Sequence, residues 1–102
     1  MTSEGAFAAL AEPRRRAILM LVRDEPLSVN EIAAHFEVTQ QAVSQHLKVL
    51  KEAGLVSVTR QRQKHLYQLR PESIDEVREF LAELWPSSLK RLKTAVEAGR
   101  ER

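Results

Sequence analysis

Apolar positions in the centre of the chain keep a helical period twice and then abandon it. Ile32, Ala33 and Phe36 recur at helical spacing, and after a short polar gap Val43, Leu47 and Leu50 do so again. Beyond Gly54 the pattern changes to two β-favouring runs, Leu55, Val56 and Val58, then Leu66, Tyr67 and Leu69. The pattern predicts two helices separated by a tight turn, followed by a β-hairpin. Earlier in the chain, residues 4–11 (EGAFAALA) read as a short apolar helix. Pro13 suits the first turn of the next helix, in which Ile18, Leu19, Leu21 and Val22 should bury and which Pro26 stops. A last stripe, Ile74, Val77, Phe80, Leu81, Leu84 and Trp85, then Leu89, Leu92 and Val96, marks a C-terminal helix with an interruption expected near Trp85, before Pro86.

Local signals place the ends of these elements. Ser28 and Glu31 have the spacing of a capping box, in which each side chain satisfies a backbone donor of the first helical turn. Leu27 and Ile32 flank that box as a hydrophobic staple. Thr39 is placed to cap the following helix, with Val38 and Val43 at the matching staple positions, and Gly54 suits the left-handed residue that ends it. Ser73 and Glu76 repeat the capping-box spacing at the start of the last helix. The hairpin connection, Arg60 to Lys64, lacks an Asn-Gly pair, so a longer and mobile tip is expected there.

The polar face of the helix after Thr39 carries the functional signal. Gln40, Gln41, Ser44, Gln45 and Lys48 lie opposite the buried stripe. A solvated helix face is usually rich in Glu and Lys, whereas this one offers amides and a hydroxyl before its first charge. Glutamine can pair in bidentate fashion with adenine N6 and N7, and serine can serve a base or a phosphate. Glutamine is also a fair helix former, so the amides alone prove nothing; two helices and a turn around them favour base contact.

Charge sharpens the reading. The net charge is +2, but residues 39–70 alone carry +5, with Lys48, Lys51, Arg60, Arg62, Lys64 and Arg70 against Glu52. The flanking thirds are slightly acidic. Positive charge therefore sits on the glutamine-bearing helix and the hairpin, where a polyanion would be met. A helix-turn-helix followed by a basic hairpin is the winged arrangement, and the tip can reach phosphates or a minor groove. Arg62 and Lys64 are expected to contact DNA, with Arg60 supporting them; a solvated basic loop is the alternative. Arg14, Arg15 and Arg16 stand near a helix start, where cations oppose the macrodipole. That placement suggests a phosphate contact, an ion pair or plain solvation.

At 102 residues one domain spanning the whole chain is expected, burying roughly 60–70% of its unfolded surface. The absence of cysteine excludes disulfides, thiolate metal sites and cysteine nucleophiles. No apolar run approaches a membrane span and no signal peptide is visible, so a cytoplasmic protein is expected. No nucleophile–base set or phosphate-binding glycine loop is present, which argues against an enzyme. A winged helix used only for protein–protein contact would leave the basic centre and its glutamines without a purpose. The C-terminal stripe exceeds what a small core needs, and a two-fold interface between two copies is its expected use; a ligand pocket beside Trp85 is the alternative.

The runs FAALAEPRRRAILMLV, VTQQAVSQHLKVLKEAGLV and KHLYQL together resemble the ArsR/SmtB-type winged-helix repressors, from about Phe7 to Leu92. The resemblance implies a mainly α fold with a small hairpin in the order α-α-α-α-β-β-α. It also implies a homodimer built from the first and last helices, about 4–23 and 73–98, and a double-stranded operator with an imperfect inverted repeat. The helix-turn-helix would span about 28–53 and the wing about 55–70. By the same resemblance Gln40, Gln41, Ser44 and Gln45 match base- and phosphate-contacting positions. The full candidate DNA set adds Thr39, Lys48, Arg60, Arg62 and Lys64; the candidate dimer set is Phe7, Leu10, Phe80, Leu81, Leu84, Trp85, Leu89 and Leu92. Metal sensors in this family place cysteines on the helix corresponding to Val29–Phe36, or His and Asp on the last helix. Here the histidines are His35, His46 and His65, none in the last helix, so no metal, no cofactor and a different kind of effector are expected.

Overall fold

The computed structural model describes residues 3–87. Its elements are α1 (Ser3–Leu10), α2 (Pro13–Leu21), α3 (Val29–Ala33), α4 (Gln40–Glu52), β1 (Val56–Gln61), β2 (Lys64–Leu69) and α5 (Ser73–Leu84). This is the α-α-α-α-β-β-α order of a winged helix-turn-helix. Ile18 and Val22 of the α2 segment, Ile32 of α3, and Val43, Leu47 and Leu50 of α4 meet in one core, closed by Leu55 and Val56 at the root of the hairpin. All are essentially inaccessible to water, and each such side chain contributes roughly 1.5–3 kcal/mol on burial. Leu21 remains only half-buried, at the margin of that core.

The α1–α2 junction explains the arginine cluster. Glu12 caps α2 by accepting the Arg15 N–H at 3.2 Å, and Pro13 occupies the first helical position. The Arg15 side chain donates to the carbonyls of Ala9 (2.7 Å) and Ala8 (3.3 Å), and Arg16 donates to Leu10 (2.7 Å). The Ala8 carbonyl also accepts the Ala11 N–H at 3.3 Å, and cations suit the negative pole at this end of α1. Arg15 and Arg16 thus direct guanidinium donors at the end of α1 rather than at a carboxylate. Arg14 takes a different course, with its guanidinium 5.0 Å from the centre of the Phe36 ring.

Both halves of the Ser28–Glu31 capping box form: Glu31 N–H donates to Ser28 Oγ at 3.2 Å, and Ser28 N–H donates to Glu31 Oε1 at 2.8 Å. The helix it starts is shorter than the Val29–Phe36 span expected. After Ala33 the bonds tighten to His35 N–H on Ile32 and Phe36 N–H on Ala33, one residue short of the α pattern. That tightening folds Phe36 and Val38 back against the core. Leu27 exchanges both backbone hydrogen bonds with Tyr67, at 3.0 and 2.8 Å, and so ties the entrance of α3 to β2.

The hairpin corrects the expectation of a long tip. Gln61 pairs with Lys64, which leaves Arg62 and Gln63 as a two-residue turn. Arg62 takes φ 60°, the only non-glycine residue with positive φ among those described, as the first central position of a II′-type turn requires. Register explains why an arginine tolerates this. Val56 opposite Leu69 and Val58 opposite Tyr67 place four apolar side chains on one face, and a slip by one residue would turn them all to water. Keeping them there outweighs the ~1–2 kcal/mol of a left-handed residue.

At α5 the Ser73–Glu76 capping box does not form. Glu72 precedes the helix in α conformation without a side-chain cap, and the Ser73 hydroxyl donates instead to the Arg70 carbonyl at 2.6 Å. A turn over Arg70–Asp75 already satisfies the N–H groups of Ser73, Ile74 and Asp75, so no cap is needed. The helix ends at Leu84, with Trp85 extended (φ −67°, ψ 124°), as the proline that follows demands. The expected continuation to residue 98, including Leu89, Leu92 and Val96, lies outside the described residues.

Candidate nucleic-acid interface

The candidate interface is built on α4. Thr39 Oγ1 accepts the Ala42 N–H at 3.0 Å, which starts the helix cleanly and leaves the hydroxyl proton available. With Val43, Leu47 and Leu50 buried, Gln40, Gln41, Ser44, Gln45 and Lys48 all project into solvent, as does Thr39. Among the described residues none of the three glutamines, Ser44 or Lys48 uses its side chain in an intramolecular hydrogen bond. Gln41, Gln45 and Lys48 follow one another at four- and three-residue intervals and so share one stripe, with Ser44 beside it. An α-helix with side chains, 10–12 Å across, matches a major groove about 12 Å wide.

The wing brings a second group of cations. Arg60, Arg62 and Lys64 are all exposed. Arg60 Nε donates to the Arg62 carbonyl at 3.4 Å, a long bond that nevertheless steadies the strained turn, whereas Arg62 reaches into solvent without a protein partner among the described residues. The positive charge of Lys64 falls near Glu31. The Glu31 carboxyl is held below its ordinary range first by the Ser28 backbone N–H, then by the Ser28 side chain, and least by Lys64, with desolvation opposing.

Two relationships near α4 were not visible in the sequence pattern. His46 Nε2 lies 3.9 Å from Glu12 Oε2, placing the start of α2 alongside α4, and Phe36 receives Arg14. Both join segments far apart in the chain, and no periodicity records such pairs. His46 is half-buried and His35 exposed. Among the described residues no three His, Asp or Glu side chains gather closely enough to hold a metal ion.

Phe80, Leu81, Leu84 and Trp85 of the α5 segment are 45, 49, 61 and 44% exposed. Phe80 meets Phe7 edge to face, with ring centres 5.1 Å apart, so α1 and α5 present one apolar surface. Phe7 is half-buried, and Leu10 is half-buried against the core.

Residues 12–58, which run from the α2 cap into the first strand of the wing, match the family model for bacterial regulatory proteins of the arsR family. The HTH-type transcriptional regulator Rv2034 of Mycobacterium tuberculosis is 42% identical over 82% of this chain and 78% of its own length. This chain belongs to the arsR family. The family is one of DNA-binding transcriptional regulators with a winged helix-turn-helix. Other relatives are named for both signs of regulation. The transcriptional activator HlyU of Vibrio cholerae is 36% identical over 76% of this chain and 71% of its own. The transcriptional repressor SdpR of Bacillus subtilis is 36% identical over 62% and 70%.

Solved structures agree on the fold. The crystal structure of a possible transcriptional regulator for arsenical resistance has a TM-score of 0.71 and 36% identity, covering 86% of this chain and 92% of that one. The solution structure of the homodimeric winged helix-turn-helix DNA-binding domain Mb0332 from Mycobacterium bovis has a TM-score of 0.67 and 26% identity, covering 80% and 76%. No helix among the described residues is long and apolar enough to cross a membrane.

Proposed function

We propose that this arsR-family chain is a homodimeric, sequence-specific repressor that reads an inverted repeat in the cytoplasm. In this reading residues 1–102 form one domain. The glutamine face of α4 reads base edges in the major groove, and the wing cations Arg62 and Lys64 hold the flanking backbone. The carrying observation is that exposed amide face, mounted on a capped helix and free of intramolecular partners. Thr39, Gln40, Ser44 and Lys48 serve phosphates or bases around the central pair Gln41 and Gln45. Two copies related by a two-fold axis through the α1–α5 surface would place equivalent helices in successive major grooves, about 34–36 Å apart, which an inverted repeat mirrors. Repression then follows from occupancy alone, because a dimer covering the promoter excludes the polymerase. The expected response is to an organic effector or a partner protein.

Titration of labelled promoter fragments at several salt concentrations tests this reading. A sequence-dependent shift with a steep salt slope supports it. Equal affinity for promoter and unrelated DNA at every salt concentration would remove base reading.

A further inference from the structure

Eight arginines have described side chains, and six spend their guanidinium groups inside the fold. Arg15 and Arg16 donate to carbonyls at the end of α1, Arg60 donates to a wing carbonyl, and Arg23, Arg70 and Arg78 pair with carboxylates. Arg14 and Arg62 do neither among the described residues. Arg62 stands at the wing tip. Arg14 lies over the Phe36 ring, in the connector between α3 and α4 and three residues ahead of the Thr39 cap.

We propose that Arg14 is a second DNA-backbone clamp, a guanidinium held by Phe36 to grip a phosphate beside the start of the recognition helix. The inference rests on the DNA-binding reading above and adds a contact outside both α4 and the wing. The 3.9 Å approach of His46 to Glu12 places the start of α2, and with it Arg14, alongside α4.

The chemistry suits a phosphate. A guanidinium stacked on an aromatic face keeps its edge N–H groups available, and their fork matches two phosphate oxygens. Stacking also orders the long side chain beforehand, so less freedom is lost on binding. Glu12, the nearby carboxylate, is already engaged by the Arg15 N–H at 3.2 Å. A shallow groove of about 220 Å³, lined by Glu12, Pro13, Arg14 and Ala17, opens beside the guanidinium and gives an oxygen room to approach.

A random-sequence duplex suffices for the test, since a phosphate contact ignores sequence. Fluorescence anisotropy across a salt series compares the wild type with Arg14→Gln, Arg14→Lys and Arg62→Gln. Arg14→Gln should weaken binding and flatten the slope of log K against log salt by about 0.9 per protomer. Arg14→Lys should keep the slope, because it keeps the charge, while binding more weakly for want of the stacked fork. A wild-type slope in Arg14→Gln beside a flattened one in Arg62→Gln overturns the clamp and leaves the DNA-binding reading standing. Equal flattening in the Gln and Lys variants assigns Arg14 a structural role and also overturns it. A wild type with no salt-dependent binding removes clamp and DNA-binding reading together.

Discussion

Leu55 donates its backbone N–H to the Leu50 carbonyl at 2.9 Å, reaching back around Gly54 to join the recognition helix to the wing. Gly54 itself donates to Lys51 at 2.9 Å with φ 78°, so the two bonds form a Schellman ending that only a left-handed residue allows. Gly54→Ala should cost about 1–2 kcal/mol, since a Cβ there meets the following carbonyl. Thermal unfolding should register a drop of several degrees, and an unchanged midpoint would show that the junction relaxes without strain.

The Ser28–Glu31 box makes stability depend on pH. The carboxyl of Glu31 titrates below its ordinary range in the folded chain, so folding favours its ionised form. This contribution is complete above the unfolded-state carboxylate pKa and is lost as pH falls through the lowered folded value. Glu31→Gln keeps an acceptor but loses the charge. It should melt lower than wild type near neutrality, and the two midpoints should converge on acidification. Parallel curves down to acid pH would assign the box no electrostatic share.

At the wing, fold and function pull on one residue. Arg62 occupies a backbone region that suits glycine, and its side chain has no protein partner among the described residues. Arg62→Gly should therefore raise the unfolding midpoint by relieving a strain of ~1 kcal/mol, while weakening DNA binding and its salt dependence. Gain in stability without loss of affinity would place the wing tip outside the interface.

The apolar surface shared by α1 and α5 predicts an oligomer. Leu84→Ala removes a side chain that is 61% exposed in one chain and so should cost the monomer little, while Trp85→Ala, at 44% exposure, removes the larger apolar group of the same surface. Sedimentation at matched concentration should shift toward the monomer. A dimer that persists in the double variant would locate the interface elsewhere.

Elements with a local cause were legible in the sequence. The Ser28 and Thr39 caps, the Gly54 stop, the apolar stripe of α4 and the break at Trp85 each follow from residues within one or two turns. The misreadings have non-local causes. The length of the hairpin turn was judged from its own residues, but it is dictated by Val56 and Val58 meeting Leu69 and Tyr67 across the sheet. Ser73 and Glu76 have capping spacing, yet the turn from Arg70 makes the cap redundant. For the arginines after Pro13 the sequence left a phosphate contact, an ion pair and solvation open; that Arg15 and Arg16 close α1 is a partnership across a corner that periodicity cannot encode. The outward glutamines were legible for the opposite reason: a buried stripe read from spacing defines the face that remains.

The central claim is that this outward face reads base edges, and competition binding of Gln41→Ala and Gln45→Ala tests it most directly. Each should lose roughly 1–3 kcal/mol on the cognate operator and almost nothing on random duplex, with the salt slope unchanged. Equal losses on both duplexes, or none on either, would contradict it.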